Sequence, residues 1–355
     1  MGAAVAKAVA GLERAHGIGE GAAARDDEPG RIPGRRERLE PGAEMGGGDE
    51  AAAELDEPQT RRSLMAGRSR KTASAMSHRL HSLLAAPPPW ILGVLNLTPD
   101  SFSDGGRFGD PESAIAAARA MMREGAAAVD VGGESTAPGR KPVDAATELA
   151  RIEPVVRALA PEMPLSIDTY HAATAARCLE LGARIINDVS ALRADPAMVE
   201  VVAGSEAALI LMHAKDAPLP HVSPRPARYR DVVEEVAAFL LERADFAVRR
   251  GIAAERIILD PGWSAFLSHD PEDSWRLLAA FDRFVARVAP FPVMVAVSRK
   301  GLLKVPMEER DPLSQLLALF ALEAGAALVR THHVRMMRQF LEAAAKCGRR
   351  PAAAG

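Results

Sequence analysis

The sequence lacks the features of a disulfide framework, a cysteine metal site, a nucleic-acid binder or a membrane span. Its 355 residues include only two cysteines, Cys178 and Cys347, whose separation fits neither a disulfide framework nor a metal-ligand spacing. Lys and Arg number 44 against 47 Asp and Glu, so there is no basic surplus of the kind that nucleic-acid binders carry. No apolar run approaches the roughly 20 residues of a membrane span. These absences predict a soluble, cytoplasmic protein with reduced thiols and no nucleic-acid or membrane partner.

Aromatic residues are scarce and unevenly placed. They make up 4% of the chain, and none precedes Trp90. Residues 1–86 are instead rich in Ala, Gly, Glu, Arg and Pro, and such a segment cannot bury enough apolar surface to offset its ordering entropy. We predict that 1–86 is a disordered extension, with a translation start at Met76 as the alternative. A disordered tail is predicted for 349–355, which leaves 87–348 for one folded domain.

Short apolar runs recur through residues 87–348, each followed by polar or Gly-rich residues and then by a stretch with helical spacing. Runs that are apolar throughout are typical of a parallel sheet buried on both faces. Eight strand–helix units over about 255 residues predict an α/β fold, a (β/α)8 TIM barrel. A doubly wound open sheet is the rival, and the count of eight disfavours it. The eight runs are 91–97, 127–131, 165–167, 184–186, 208–212, 256–259, 293–297 and 328–329.

Two of the stretches between these runs place apolar residues on one helical face, which indicates amphipathic helices packed against the barrel. The first set is Val143, Ala146, Leu149, Ile152, Val155, Val156 and Leu159. The second set is Val232, Val233, Val236, Phe239 and Leu240.

Polar residues follow the strand runs, and in a TIM barrel the chemistry takes place at this carboxyl end of the strands. The first strands supply mainly carboxylates and amides, which can hydrogen-bond a planar heterocycle. The last two supply Lys300, Arg330 and His332, which suit an anion at the usual phosphate site of this fold. We therefore predict a heterocyclic phosphate or pyrophosphate as ligand, with acids and cations on opposite sides of the mouth. The polar residues are Asn96, Asp130, Glu134, Asp168, Asn187, Asp188, His213, Asp260, Ser298, Arg299, Lys300, Arg330 and His332.

Several motifs resemble the dihydropteroate synthase family, and they occur in the family's order. Residues 93–106, GVLNLTPDSFSDGG, are similar to the first signature of that family, and residues 130–136, DVGGEST, to the second. The resemblance covers about residues 90–345. Further matches are Ser166-Ile167-Asp168-Thr169, Ile185-Ile186-Asn187-Asp188-Val189, Leu211-Met212-His213, Asp260-Pro261-Gly262, Ser298-Arg299-Lys300 and Val329-Arg330-Thr331-His332.

The resemblance implies a transferase of folate biosynthesis, a target of sulfonamides. It would condense 6-hydroxymethyl-7,8-dihydropterin pyrophosphate with 4-aminobenzoate to give 7,8-dihydropteroate and pyrophosphate. Members of the family are commonly homodimers, and Mg²⁺ is the implied cofactor. Lys300, Asp260 and Asp168 would be the catalytic residues, and Asn96 would hold Mg²⁺. The implied substrate-binding residues are Asn187 and Met212 for the pterin, Arg330 and His332 for the pyrophosphate, and Asp100, Phe102, Thr136 and Gly301 for the closing loops and the aminobenzoate pocket.

The sequence departs from the family pattern near the second substrate. Ala137 stands where the family usually has Arg, and Gly301 stands where it usually has a Ser beside the aminobenzoate carboxylate. His333 replaces a common acidic residue, and the stretch after Gly262 is unusual. We therefore hypothesise that pterin binding is retained while the affinity for aminobenzoate or sulfonamides is weakened.

Other functions remain open on the sequence alone. A non-catalytic or altered-specificity pterin-binding paralog would fit Ala137 and Gly301. A methyltetrahydrofolate:corrinoid methyltransferase would share the barrel, but Lys300, Arg330 and His332 speak against it because its substrate has no pyrophosphate.

Several polar or aromatic residues are open to a structural interpretation. Asp130 is as consistent with buried support as with function, whereas His213 is interpreted as orienting the barrel mouth. We expect surface positions for His171, His221 and His269, a solvated loop at Arg140 and Lys141, and packing roles for Trp263 and Trp275.

Overall fold

The computed structural model describes residues 89–98, 110–135, 141–215 and 229–349. The predicted extension over 1–86, the alternative start at Met76 and most of the predicted tail over 349–355 lie outside these residues. In the described part, eight strands alternate with helices in the order predicted for a barrel. No helix in these ranges is long and apolar enough to cross a membrane.

Eight parallel strands form the barrel wall, and the sheet runs in the order β6-β5-β4-β3-β2-β1-β8-β7. A parallel bridge between Leu259 and Val293 brings the two outer strands together, so the sheet closes on itself. The predicted TIM barrel is confirmed, and the open-sheet rival is excluded. The strands are β1 Trp90–Asn96, β2 Ala128–Gly132, β3 Leu165–Asp168, β4 Ile185–Asp188, β5 Ala208–Met212, β6 Ile257–Asp260, β7 Met294–Val295 and β8 Leu328–Thr331.

Helices surround the wall, and four of them begin at an aspartate that accepts a hydrogen bond from a backbone N–H of the first turn. These N-caps are Asp110, Asp144, Asp231 and Asp270. The described helices are α1 Pro111–Arg123, α2 Ala145–Leu159, α3 Ala172–Glu180, α4 Met198–Ala203, α5 Val232–Arg249, α6 Pro271–Ala279, α7 Phe281–Val288, α8 Met307–Glu323 and α9 Val334–Lys346.

The second predicted helical face is confirmed in α5, where Val232, Val233, Val236 and Leu240 are buried, whereas the first is correct only in part. Helix α2 buries Ile152, Val155, Val156 and Leu159 against the barrel. Val143, however, precedes the N-cap of α2, and Ala146 is exposed because it lies on the outer side of the first turn.

The strand register brings polar residues of neighbouring strands to one level. Asn96 of β1 lies level with Gly132 of β2, which lies level with Asp168 of β3, and Asp168 lies level with Asn187 of β4. Gly132 has no side chain, and a Cβ there would lie 3.4 Å from Asp168 Cβ and 3.5 Å from Asn96 Oδ1. The amide and the carboxylate therefore converge over a bare backbone at the carboxyl end of the barrel.

Candidate active site

A cavity of about 340 Å³ opens at the carboxyl end of the strands, which is the size expected of a small-molecule site. Its lining comes from strands β1, β3 and β8 and from the loops after β2, β6, β7 and β8. Nine of the residues predicted from the sequence lie in its wall: Asn96, Glu134, Asp168, Ser298, Arg299, Lys300, Gly301, Arg330 and His332.

The other predicted residues lie beside the cavity or outside the described residues. Asp260 and Met212 sit level with each other on β6 and β5, and Met212 packs in a small apolar cluster with Tyr170 and Val189. Asn187 is bonded to Asp130 at the base of the barrel mouth. Three further positions lie outside the described residues, namely Asp100, Phe102 and Thr136.

Arg330 lies among carboxylates. Its Nε donates to Asp130 Oδ2 and its Nη2 to Asp168 Oδ2, both at 2.6 Å. Asn187 Nδ2 donates to the same Asp130 oxygen at 3.2 Å. The predicted separation of acids from cations is therefore wrong at Arg330, because this side chain points inward from β8 to acids on β2 and β3. We call Asp130, Asp168, Asn187 and Arg330 the floor of the cavity.

The floor is buried, and its charges depend on one another. Burial raises the pKa of Asp168 to about 7 against the opposing effect of Arg330. Burial also acts to lower the pKa of Arg330, but Asp130 and Asp168 more than offset it. Asp168 Oδ1 and Asp130 Oδ1 are buried and accept no hydrogen bond from the described residues. Asp168 thus presents a free carboxylate oxygen at the cavity wall, whereas Asp130 supports Arg330 from below.

Asp260 is oriented by its own loop. Gly262 N donates to Asp260 Oδ1 at 2.9 Å, and burial raises the pKa of Asp260 to about 6 despite that hydrogen bond. Gly262 has a φ of +71°, and a Cβ there would lie 2.2 Å from the carbonyl oxygen of His213. Only glycine fits this close approach, which explains why Gly follows Asp260-Pro261.

Lys300 reaches the cavity from the loop after β7. Its ammonium nitrogen lies 4.3 Å from the ring centroid of Phe266. Burial lowers the pKa of Lys300 to about 8, and Arg330 lowers it too, while Asp260 and Asp168 act in the opposite direction. The lysine is therefore charged near neutrality but close to losing its proton.

His332 is a neutral hydrogen-bond donor. Its backbone N donates to Ser298 Oγ at 3.2 Å, and the same hydroxyl lies 2.9 Å from His332 Nδ1. A neutral ring that accepts the hydroxyl proton at Nδ1 carries its own proton on Nε2. Burial lowers the pKa of His332 to about 3, with help from Arg299. If His332 binds the predicted anion, it does so as a neutral N–H donor and not as a cation.

Arg299 is held by a residue that the sequence reasoning missed. Its Nε and Nη2 donate to the two carboxylate oxygens of Asp311 at 2.9 and 3.1 Å. His333 Nε2 lies 2.7 Å from Asp311 Oδ2 and 2.8 Å from Arg299 Nη2. Asp311 of α8 therefore places a carboxylate beside Arg299. In the family pattern, an acidic residue commonly stands at position 333, where this chain has His333.

The loops after β6 and β7 form the rim of the cavity, which we define as Ser264–Phe266 and residues 299–301. Arg299 and Ser264 have φ values of +58° and +59°, in the left-handed region that favours glycine. Trp263, which precedes the rim, stacks on Phe281 with 5.8 Å between ring centroids and also lines the cavity. Its predicted packing role is correct but incomplete.

The predictions for three histidines have different outcomes. His269 is exposed, as expected, and His221 lies outside the described residues. His171 is half-buried, with Nε2 3.0 Å from the Val143 carbonyl oxygen, so the predicted surface position is wrong. His213 is buried, and burial lowers its pKa to about 3, in keeping with a supporting role at the barrel mouth.

Comparison with known proteins identifies close relatives over the barrel. A model of the pterin-binding enzyme family matches residues 92–332. Dihydropteroate synthase of Mycobacterium leprae is 42% identical over 265 residues, which cover 71% of this chain and 91% of the relative.

Solved structures give the same result. Dihydropteroate synthase of Burkholderia cenocepacia, complexed with 7,8-dihydropteroate, matches with a TM-score of 0.65 and 35% identity over 74% of this chain and 93% of the other. The Xanthomonas albilineans enzyme with 4-aminobenzoic acid matches with a TM-score of 0.65 and 34% identity over 74% of this chain and 94% of the other.

Proposed function

The chain belongs to the dihydropteroate synthase family of pterin-binding enzymes, and on that premise we propose how its residues carry out the reaction of the family. The enzyme condenses 6-hydroxymethyl-7,8-dihydropterin pyrophosphate with 4-aminobenzoate. The bond between the pterin methylene carbon and the pyrophosphate oxygen breaks, a bond to the arylamine nitrogen forms, and that nitrogen loses one proton. The products are 7,8-dihydropteroate, pyrophosphate and a proton.

The observation that carries the proposal is the buried Oδ1 of Asp168 at the cavity wall, which has no hydrogen-bond donor among the described residues. A pterin ring has N–H groups, and such an oxygen can accept hydrogen bonds from them. Asp260 and Asn187 lie on the neighbouring part of the barrel mouth, and Met212 supplies an apolar surface. We assign the pterin to this side, where buried polar groups without partners would otherwise be costly.

The pyrophosphate is assigned to Arg330 and His332. Arg330 uses Nε and Nη2 for the carboxylates of the floor, and its guanidinium has five N–H donors in total. His332 presents Nε2–H because Ser298 occupies Nδ1. Donors that are fixed before the reaction stabilise the charge that develops on the departing group.

Catalysis in this scheme depends on position and charge. Ionised Asp168 and Asp260 would stabilise the positive charge that develops on the pterin as pyrophosphate leaves. Lys300 belongs to the rim, and its charge interacts with Asp260 and Asp168, so its ammonium group can contact both substrates. Holding the arylamine against the methylene carbon lowers the barrier by removing the entropy cost of their encounter.

Mg²⁺ fits this site only as an ion shared with the substrate. No cluster of three or more His, Cys, Asp or Glu able to hold a metal occurs in the described parts of the chain. Mg²⁺ often binds substrate phosphates and retains water, so one protein ligand is enough, and Asn96 of the cavity wall offers its amide oxygen. The ion would add positive charge to the departing pyrophosphate. Calorimetry should detect Mg²⁺ binding in the presence of pyrophosphate, and Asn96→Ala should weaken it.

Three residue roles and two properties of the protein remain proposals. Asp100, Phe102 and Thr136 are proposed to close over the substrates. A cytoplasmic location and a homodimer are likewise proposed from the family alone.

The decisive experiment incubates the protein with dihydropterin pyrophosphate, 4-aminobenzoate and Mg²⁺ and measures dihydropteroate by chromatography. We expect turnover that requires both organic substrates. Tight binding of the pterin without product would instead identify a non-catalytic paralog. Methyl transfer from methyltetrahydrofolate in a parallel assay would favour the corrinoid methyltransferase.

A further inference from the structure

Ser264 has its backbone fully engaged and its hydroxyl free. Its N–H donates to Ser274 Oγ at 3.0 Å, and its carbonyl accepts from Leu267 N at 2.9 Å and from Ser268 N at 2.8 Å. Its Oγ makes no hydrogen bond to any residue that the structure describes, although Ser264 lines the cavity. The hydroxyl is therefore available to a ligand.

The backbone of Ser264 is held in an unfavourable conformation. Its φ of +59° is one that L-residues other than Asn and Asp rarely adopt. Residues held in such conformations cluster at ligand sites, where the surrounding contacts enforce them. Here the three backbone hydrogen bonds provide that enforcement, and the result is a serine side chain placed in the cavity wall.

Gly301 leaves open the space that faces this hydroxyl. A Cβ built on Gly301 would have Ser264 Oγ as its one heavy-atom neighbour within 4 Å, at 3.4 Å, neighbouring residues in the chain excepted. Gly301 is not among the glycines with positive φ, so its backbone does not itself require glycine. The loops after β6 and β7 thus face each other across a gap. The Ser264 hydroxyl lies on the β6 side, and Gly301 on the β7 side contributes no side chain.

The position of this gap indicates which substrate it serves. The pterin is assigned to the floor, and the pyrophosphate to Arg330 and His332 on β8 and its loop. The loops after β6 and β7 remain for the second substrate, with Lys300 adjacent to Gly301. A hydroxyl donor beside a lysine suits a carboxylate.

We propose that the Ser264 hydroxyl donates a hydrogen bond to the carboxylate of 4-aminobenzoate and so determines the affinity for the second substrate. This inference rests on the proposed function of the same site. It makes Ser264 the functional replacement for a hydroxyl at position 301, supplied from the opposite side of the gap.

The test is steady-state kinetics with each substrate varied in turn. In Ser264→Ala and Ser264→Gly the KM for 4-aminobenzoate should rise about tenfold, as expected for loss of one hydrogen bond to a charged group. The KM for the pterin pyrophosphate should stay within about twofold. With ethyl 4-aminobenzoate, which has no carboxylate, wild type and both variants should behave alike.

A double variant tests the geometry. Ser264→Ala with Gly301→Ser moves the hydroxyl across the gap and should recover most of the lost affinity for 4-aminobenzoate. Ser113→Ala, on the outer helix α1, serves as the control that should change neither KM. Thermal melts exclude misfolding, and Ser264→Gly should melt at the same or a higher temperature because it relieves the φ strain.

The outcomes separate the two proposals. An active wild type whose Ser264 variants keep the same KM for 4-aminobenzoate would overturn the role of Ser264 alone. An equal rise for the ethyl ester, or a rise in the pterin KM instead, would overturn it as well. A wild type that forms no dihydropteroate would overturn the proposed function itself.

Discussion

The floor and the rim of the cavity are built in different ways. Side chains of the floor leave strands that are hydrogen-bonded on both sides, and they bond to one another at 2.6 to 3.2 Å. The rim comes from loops, and its Ser264 and Arg299 hold left-handed backbone conformations. The floor is therefore fixed by charge pairing within the barrel, whereas the rim is fixed by strained loops that outside contacts hold in place.

This contrast fits the assignment of the pterin to the floor and of the second substrate to the rim. A floor whose members depend on one another tolerates little change, which suits recognition of an invariant pterin ring. A rim made of loops can exchange one residue for another, as Ser264 and Gly301 illustrate. We expect substitutions in the floor to affect stability and turnover. Apart from the catalytic Lys300, substitutions in the rim should affect mainly the affinity for the second substrate.

The largest effect is expected for Arg330→Met. It would leave Asp130 and Asp168 buried without their cation, so the free energy of unfolding should fall by about 3–5 kcal/mol. Denaturant titration measures this loss, and Arg335→Ala is the control because Arg335 is exposed and its ion pair contributes less than about 1 kcal/mol. A loss as small as that of the control would break the contrast between floor and rim.

Lys300→Ala and Asp260→Ala should each reduce turnover by about two orders of magnitude or more, equivalent to about 3 kcal/mol. Both side chains are placed at the reacting centre, so kcat should fall as well as kcat/KM. Lys304→Ala, an exposed lysine of the same loop, should keep wild-type rates. Near-normal turnover in either active-site variant would mean that the site has been assigned to the wrong residues.

The pH profile should show the titration of Lys300. Because its pKa is lowered to about 8, the lysine is charged below that pH and becomes neutral as the pH rises through it. Binding of anionic substrates should therefore weaken, and kcat/KM should fall above about pH 8. Lys300→Arg keeps its charge and should remove this decline, and a decline that persists in that variant would assign it to another group.

The smallest effect is expected for Asp311→Asn, which removes the ionic partner of Arg299 at the rim. Such an ion pair contributes about 1 kcal/mol, so the free energy of unfolding should fall by no more than that. Because 1 kcal/mol corresponds to about a fivefold change, kcat/KM should fall by about fivefold at most. Adding His333→Glu should restore an acid beside Arg299 and recover part of the activity. Equal damage in the single and double variants would show that Arg299 does not depend on a nearby carboxylate.

Much of the barrel could be predicted because strand burial leaves a direct mark on the sequence. Each apolar run coincides with a strand to within two residues at either end, although only Met294–Val295 of the run 293–297 forms a strand. The convergence of Asp168, Lys300, Arg330 and His332 was also predictable. The carboxyl ends of parallel strands meet at one end of a barrel, and this does not depend on how individual side chains are oriented.

Contacts across the cavity could not be predicted from strand order. That order places Arg330 at the end of β8, but only the inward direction of its side chain brings it to Asp130 and Asp168. The pairing of Arg299 with Asp311 depends on the φ of Arg299, and the meeting of Ser264 with Gly301 depends on the paths of two loops.

The hypothesis of a weakened second-substrate pocket changes accordingly, because Ser264 can supply the hydroxyl that Gly301 lacks. It now depends on Ala137, which lies outside the described residues, and sulfonamide inhibition would test it.

The barrel wall has a seam between β6 and β7. Strand β7 has two residues, and in the described part of the chain the residues just before it meet β6 at an isolated parallel bridge between Leu259 and Val293, with Leu259 N donating to Pro292 O at 2.9 Å. Segments with few backbone hydrogen bonds open most readily, so amide protons along this seam should exchange with solvent sooner than those of β2 to β5. Ser264 and Gly301 stand on opposite sides of that seam, so each transient opening widens the gap between them. Local opening of the barrel at this seam and entry of the arylamine substrate would then occur in the same motion.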